Sequence, residues 1–380
     1  MVRTLDAGIA MDSGKIELLF VLPSLDAGGS QRVFLHLVRN LSRAQFNITL
    51  LVLKNEGELK YLLPSDIRII AYYLPRTALG IGKIFSAVRK LSPDIVMSTF
   101  GHLNLLVSLI IPAFRKRTLF IARESSVTSE SVKDESYPRL FNVMFRTSYH
   151  LFDHFICQSN AMMEDLNKNF FVNRKKISVI NNPVDFSLIR VSGELPEKWD
   201  LNGRCLISVG QLRKEKGYDR ILRALGNCDF PFAYKIIGEG VMRPRLEAII
   251  ADVSLGSKVE LAGSIPAPFG YIAQADCLLL GSYYEGFPNI VLEANALGVP
   301  VIAWASPGGH NEIIVNGVNG WLVRSPDELC SMLKSRAYLE LDKEKIIRIT
   351  KERFGLEKII GQYEDLLKRQ YARHQNRRGG

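Results

Sequence analysis

An α/β fold of two domains, each a parallel sheet wrapped by helices on both faces, is what this sequence predicts. Three observations lead there. The chain has 380 residues, more than one compact core accommodates. Short apolar, β-branched runs alternate with amphipathic stretches along its whole length, the rhythm of parallel strands buried on both sides. That rhythm starts afresh after the turn-rich segment Asn181-Asn182-Pro183-Val184-Asp185, which is read as the hinge between domains.

Taken in order, residues 16–22 read as a buried strand, followed by a helix over 28–41 with Val33, Phe34, Leu37, Val38 and Leu41 at helical spacing. Strands are expected at 48–53 and 67–72, a helix at 84–91, a strand at 94–98, a helix from about Leu103, and strands at 119–122 and 155–157. Past the hinge come a strand at 205–209, a helix from Tyr218, a strand at 233–237, a helix at 242–253, and strands at 259–261 and 276–280. A helix at 289–297 and a strand at 301–303 follow, and a last amphipathic helix at 356–371 closes the chain. Each half is thus Rossmann-like. The expected layout is a loose leader over 1–14, with Met11 a second candidate start, domains over 15–185 and 186–355, and a C-terminal helix with a basic tail over 356–380. Ligands of open α/β sheets bind outside the carboxyl ends of the strands, so the cleft between two such domains is the expected site.

The bulk composition excludes several classes. With 47% hydrophobic and 23% charged residues the chain is ordinary for a globular protein. Its longest apolar stretch, 103–114, is interrupted by Asn104 and Ser108 and falls short of the roughly 18 residues a membrane-spanning helix needs. The first residues lack a signal core followed by a cleavage site, so a cytoplasmic protein is expected. The five cysteines form no C-x-x-C pair and four lie in apolar or strand-like segments, which reads as buried free thiols in a reducing compartment. The net charge is +10, with basic clusters at Arg115-Lys116-Arg117, Arg174-Lys175-Lys176 and from Lys368 to Arg378. Such clusters suit phosphate-bearing partners, either a sugar nucleotide or an anionic membrane surface. Without a zinc finger, a helix-turn-helix signature or an aromatic RNA-binding motif, nucleic acid is not expected.

The strongest chemical signal is Glu285-Gly286-Phe287-Pro288-Asn289-Ile290-Val291-Leu292-Glu293, two carboxylates flanking a loop and a helix start. Gly286 permits close backbone approach, and Pro288 suits a first helical turn. The free N–H groups around Asn289 and Ile290 then make an anion site fit for a diphosphate. Glu285, in the loop, is placed to face a sugar. Glu293, farther along the helix, is placed to accept from ribose hydroxyls.

This stretch resembles the retaining glycosyltransferase family 4, whose fold is GT-B, and the resemblance runs through nearly the whole chain. Gly28-Gly29 after the first strand looks like the family's glycine loop, which implies donor phosphate at Gly29 and acceptor near Gly28; Ser30-Gln31 replaces the commoner Ala-Glu continuation. Asn182-Pro183-Val184-Asp185 is similar to the family hinge. Residues 209–217 look like its phosphate loop, and Ser306-Pro307-Gly308-Gly309, Glu312, Gly317 and Gly320 match the segment after the donor helix. The resemblance assigns Lys216 to the departing diphosphate. Gln211 occupies the family's Arg position, and Arg213 is the neighbouring cation that would take its place. Thr99 stands where family members most often carry a His, and His102 follows three residues later as the active-site candidate. Arg123-Glu124, beyond the next strand, is read as cleft-side, with Arg123 toward the acceptor; the alternative is a surface ion pair. Gly238-Glu239-Gly240 lacks the third glycine and the ribose-binding acid of a dinucleotide fingerprint. Similar family loops place it beneath the nucleotide base, with Ser264 reaching the base through backbone groups.

No Asp-x-Asp and no His or Cys cluster with metal-ligand spacing occurs, so neither metal nor cofactor is expected. The expected activity is transfer, with retention, of a hexosyl or N-acetylhexosaminyl unit from a nucleotide-diphosphate sugar, UDP-linked by preference. The expected acceptor is a saccharide or lipid-linked saccharide in bacterial cell-surface polysaccharide, lipopolysaccharide or glycan synthesis, at the inner face of the cytoplasmic membrane. The rivals are a sugar-nucleotide epimerase of the same architecture, a nucleotide-sugar-binding subunit without turnover, and a basic adaptor indifferent to nucleotide sugars.

Overall fold

The computed structural model describes residues 3–5, 14–26, 28–189 and 203–379. The chain divides into two compact units, one made of Met1–Asn182 with Ile359–Gly380, the other of Pro183–Lys358.

The first unit runs β1 (Arg3–Leu5), β2 (Ile16–Ser24), α1 (Gly29–Asn40), β3 (Phe46–Lys54), β4 (Arg68–Ala71), α2 (Ile81–Leu91), β5 (Ile95–Thr99), α3 (Gly101–Ser108), α4 (Ile111–Phe114), β6 (Leu119–Arg123), α5 (Thr128–Lys133), α6 (Pro138–Ser148), β7 (His154–Cys157), α7 (Asn160–Phe170) and β8 (Ile177–Val179). Its sheet has the order β1-β4-β3-β2-β5-β6-β7-β8, parallel except for β1 against β4. Central strands are apolar on both faces: residues 18–22 of β2 are all buried. Helix α1 turns Val33, Phe34, Leu37 and Val38 inward, and Phe34 meets Phe20 of β2 edge-on at 4.9 Å.

The second unit runs β9 (Arg204–Val209), α8 (Tyr218–Gly226), β10 (Phe232–Ile237), α9 (Arg243–Asp252), β11 (Val259–Gly263), α10 (Phe269–Gln274), β12 (Cys277–Leu280), α11 (Asn289–Ala296), β13 (Val301–Trp304), α12 (His310–Ile313), β14 (Gly320–Val323), α13 (Pro326–Ser335) and α14 (Lys343–Phe354). The order β11-β10-β9-β12-β13-β14 is that of a doubly wound nucleotide-binding sheet, all parallel. The last helix, α15 (Leu356–Gly379), returns to the first unit. There Ile359, Ile360, Tyr363, Leu366 and Leu367 are buried, and burial of each aliphatic side chain stabilises by about 1.5–3 kcal/mol.

Three expectations change. Part of the leader is a strand, since Arg3–Leu5 pairs antiparallel with β4; residues 1, 2 and 6–13 lie outside the described residues. Helix α15 reaches Gly379, eight residues beyond its expected end, and its length past Lys358 belongs to the N-terminal unit. Cys228 and Cys330 form a disulfide with Cα atoms 5.8 Å apart, while Cys157, Cys205 and Cys277 are free. Packing of α8 against α13 brings the pair together across 102 residues, a proximity that cysteine spacing does not encode.

Candidate active site

In each sheet the strand order reverses once, and ligands of open α/β sheets sit outside the strand ends at that point. In the second unit the reversal lies between β9 and β12. The loop leaving β9 brings Lys216, and the loop leaving β12 brings Ser282 and Glu285. Lys216 Nζ donates to Glu285 Oε1 at 2.7 Å, and Ser282 Oγ donates to the same oxygen at 2.6 Å. These three side chains and Ile290, in the first turn of α11, line one small cavity. Two glycines make the arrangement fit. Gly217 has φ 59°, and a Cβ there would stand 1.8 Å from the Gly281 carbonyl oxygen. Gly308 has φ 141°, and its Cβ would stand 2.0 Å from the Glu285 carbonyl oxygen. Glu285 N donates to Pro307 O at 3.0 Å, and Gly309 N to Gly286 O at 2.9 Å. The backbone bearing the carboxylate is therefore pinned on both sides.

Behind this pair lies a layer that sequence reasoning missed. The Arg220 guanidinium sits over the rings of Tyr283 (4.5 Å) and Trp304 (4.6 Å). It donates to the carbonyls of Gly281, at 2.5 Å, and Ser282. Burial lowers its pKa to about 10, so it stays charged at neutral pH. Ser306 Oγ donates to Ser282 O at 2.6 Å, and His310 Nε2 to Trp304 O at 2.9 Å. Burial holds the His310 pKa below the usual imidazole value, favouring the neutral ring. Arg220 alone on a helix reads as a solvated position; its aromatic neighbours, at 283 and 304, arrive only with the fold.

The other donor-side residues fall around the same strand ends. Pro288 is the N-cap of α11, one position before the first turn expected for it, and Asn289 and Ile290 open the helix. Phe287 is buried, edge-on to Phe354 at 5.6 Å. Glu293 is half-buried in the second turn. Gly238 N donates to Gly263 O at 2.7 Å, and Leu212 N to Glu239 O at 2.9 Å, tying the loops after β9, β10 and β11 together; Ser264 is exposed beside them. Arg213 is turned to solvent, 58% exposed, with Glu215 its nearest carboxylate at 4.0 Å. The structure does not bring it to the Lys216–Glu285 pair.

In the first unit the reversal lies between β2 and β5. Gly28 caps α1 and Gly29 opens it. Phe100 turns β5 sharply into α3 with φ 72°, a conformation costing a bulky residue about 1–3 kcal/mol. His102 follows in the first turn of α3, 58% exposed, with Nε2 2.7 Å from Glu135 Oε1 and its ring edge-on to Phe141 at 5.0 Å. Thr99 is wholly buried. Arg123 is a correction: it is 0% exposed, and it donates to Tyr363 Oη at 3.1 Å and Asn182 Oδ1 at 2.5 Å. Its charge anchors α15 instead of facing an acceptor. Glu124 is no surface ion-pair partner either. Buried, it accepts from Tyr149 Oη (2.8 Å), Asn104 Nδ2 (3.0 Å) and Thr128 Oγ1 (3.0 Å), and burial raises its pKa.

Comparison with known proteins shows the family and the fold. The family described as glycosyl transferases group 1 matches residues 194–353, and glycosyltransferase family 4 matches residues 27–188. The amylovoran biosynthesis glycosyltransferase AmsK of Erwinia amylovora is 30% identical over 300 residues, 70% of this chain and 68% of that protein. The N-acetylgalactosamine-N,N'-diacetylbacillosaminyl-diphospho-undecaprenol 4-alpha-N-acetylgalactosaminyltransferase of Campylobacter jejuni is 27% identical over 332 residues, 84% of this chain and 89% of that one. Among solved structures, HepE of Anabaena in complex with UDP superposes with a TM-score of 0.77 at 18% identity, over 93% of this chain and all of that one; this likeness shows the fold. Among the described residues, no helix is long and apolar enough to cross a membrane.

Proposed function

The chain belongs to family 4 of the glycosyltransferases and has their GT-B fold, and on that premise we propose that it moves a hexosyl or N-acetylhexosaminyl unit, with retention, from a UDP-linked donor to a lipid-linked saccharide in bacterial cell-surface polysaccharide synthesis. The observation that carries this reading is the Lys216–Glu285 pair beside the first turn of α11. Breaking the bond between the sugar and the diphosphate leaves negative charge on the β-phosphate. The Lys216 ammonium and the N–H groups opening α11 meet that charge, without a metal. A preplaced donor of this kind is worth roughly 3 kcal/mol, about a hundredfold in rate.

The ion pair gives binding an exchange character. In the free protein Glu285 holds the ammonium in place. The diphosphate takes the ammonium over, and Glu285 Oε1, still held by Ser282, accepts from the sugar hydroxyls. Glu293 accepts from the ribose. The acceptor hydroxyl oxygen bonds to the anomeric carbon on the face the diphosphate leaves, and its proton passes to a phosphate oxygen. His102 is assigned to the acceptor side. The undecaprenol-linked acceptor and alpha linkage in the name of the Campylobacter jejuni relative, and the UDP bound by HepE, support the donor and acceptor classes. The same reading has the chain work at the inner face of the cytoplasmic membrane.

Incubation with UDP-N-acetylhexosamines, UDP-hexoses and lipid-linked saccharide acceptors, with the product anomer read by proton NMR, tests the reading. An α-linked product from a UDP-α-sugar is expected. A β-linked product rules out retention. Binding of UDP-sugars with no transfer to any acceptor favours the subunit without turnover, which Gln211 and Thr99 at the family's Arg and His positions also fit.

A further inference from the structure

Helix α6 is apolar on two sides, and one of them faces solvent. Phe145 is buried and Phe141 half-buried against the core of the first unit. On the other side, at helical spacing, Leu140, Val143 and Met144 are 56%, 58% and 37% exposed, and the N-cap residue Tyr137 is 70% exposed. A contiguous apolar stripe on a surface marks a contact. Phe171, just past α7, adds a further exposed apolar side chain, held outward by a left-handed backbone with φ 57°. The Arg146 guanidinium of α6 lies over its ring at 5.3 Å and donates to Asn169 O at 3.0 Å, so helix and loop form one surface.

The charges around this stripe say what covers it. Helix α6 carries Arg139 and Arg146 and no acid; residues 171–176 carry Arg174, Lys175 and Lys176 and no acid. Of the neighbouring carboxylates, Glu135 pairs with His102, Glu130 with Lys133, and Glu164 with Lys168 and Arg174, while Asp134 is exposed in the turn ahead of Tyr137. An apolar stripe on a helix whose only charges are cations suits the boundary of an anionic bilayer, where the apolar side chains enter the acyl region and the cations meet headgroup phosphates. We infer that α6 and Phe171 are the element that inserts this protein into an anionic phospholipid surface. This placement rests on the reading that the acceptor is membrane-held, and it goes beyond charge attraction by basic clusters, because it requires apolar insertion. The element adjoins the acceptor-side candidate, since Phe141 of α6 packs against His102.

Sedimentation of the full chain with vesicles of phosphatidylglycerol and phosphatidylcholine in equal parts, and with phosphatidylcholine alone, tests the inference. The wild type is expected to sediment with the mixed vesicles and about tenfold or more weakly with the neutral ones. Combining Leu140→Ser, Val143→Ser and Phe171→Asn lowers binding to the mixed vesicles by about tenfold or more. The melting temperature, and its rise with UDP, stay as in the wild type. Arg139→Gln with Arg146→Gln flattens the salt dependence, and Leu140→Trp gives a fluorophore whose emission shifts to the blue on vesicles. Vesicle binding indifferent to the apolar variant, or a wild type that ignores anionic vesicles, overturns the inference. So does a dimer that the apolar variant dissolves, since a second copy then covers the face. If UDP fails to stabilise the protein while vesicle binding follows α6, the donor reading falls and this surface stands. If lipid-linked transfer proceeds while vesicle binding ignores α6, the reverse holds.

Discussion

Lys216 Nζ and Glu285 Oε1 meet at 2.7 Å although 69 residues separate them. Parallel pairing of β9 with β12 sets their loops side by side, and Gly217 lets those loops touch backbone to backbone. Lys216→Ala is expected to lower kcat about a hundredfold while changing stability by only about 1 kcal/mol, because the lysine is 29% exposed and the pair partly solvated. Steady-state UDP release beside a urea melt checks both numbers. A fall in stability matching the fall in rate would give the pair a structural role instead.

Gly217→Ala is expected to act on the same cavity through the backbone. The left-handed φ costs an alanine about 1 kcal/mol, and a Cβ 1.8 Å from the Gly281 oxygen forces the two loops apart. Both the melting temperature and the affinity for UDP should fall. Alanine at Gly82, where a Cβ meets nothing within 4 Å, is the control, and calorimetric titration with UDP reads the difference.

Arg220→Lys keeps the charge and loses the fork that holds the Gly281 and Ser282 carbonyls. Hydrogen bonds to a charged group are worth about 1.5–3 kcal/mol, so a loss of that order is expected in a urea melt. KM for the donor should rise with it, since Ser282 is the residue that orients Glu285. An unchanged KM would detach Arg220 from the site.

His154 predicts an acid-side weakness. It is buried at the start of β7, 2.9 Å from Ser178 Oγ. Burial first, then Arg373, Arg369 and Lys176, lowers its pKa from 6.5 to about 4. The unfolded chain therefore takes up this proton before the folded one does. The stability it contributes is present above about pH 6.5 and is lost as pH falls toward about 4, by up to about 3 kcal/mol. His154→Gln should flatten that part of the curve in urea melts across the window; an unaltered slope contradicts the assignment.

The strands were legible because parallel strands buried on both faces read as unbroken apolar runs, as residues 18–22 do. The three-residue β8 and four-residue β14 were not, being edge strands only partly buried and so without an unbroken apolar run. Glu285 was legible as a candidate through Gly286 and the helix start beside it, and Lys216 only through the likeness of residues 209–217 to a family phosphate loop. Their mutual bond was not, because it depends on which strands are neighbours. Arg123 was misplaced for the same kind of reason: its role is set by Tyr363 of α15, 240 residues away. Arg220 carried no local signal, and the solvent face of α6 looks in sequence like any other core stripe.

Thermal melting of the wild type and Lys216→Ala with UDP, GDP, ADP and dTDP tests most directly the claim that Lys216, Glu285 and the start of α11 form a nucleotide-sugar site. At about 100 times its dissociation constant a specific ligand stabilises the fold by roughly 2.7 kcal/mol. UDP is expected to raise the wild-type melting temperature, the other three to do so less, and Lys216→Ala to lose most of the rise. Melting curves that none of the four nucleotides moves, or a UDP shift that survives intact in Lys216→Ala, would contradict it.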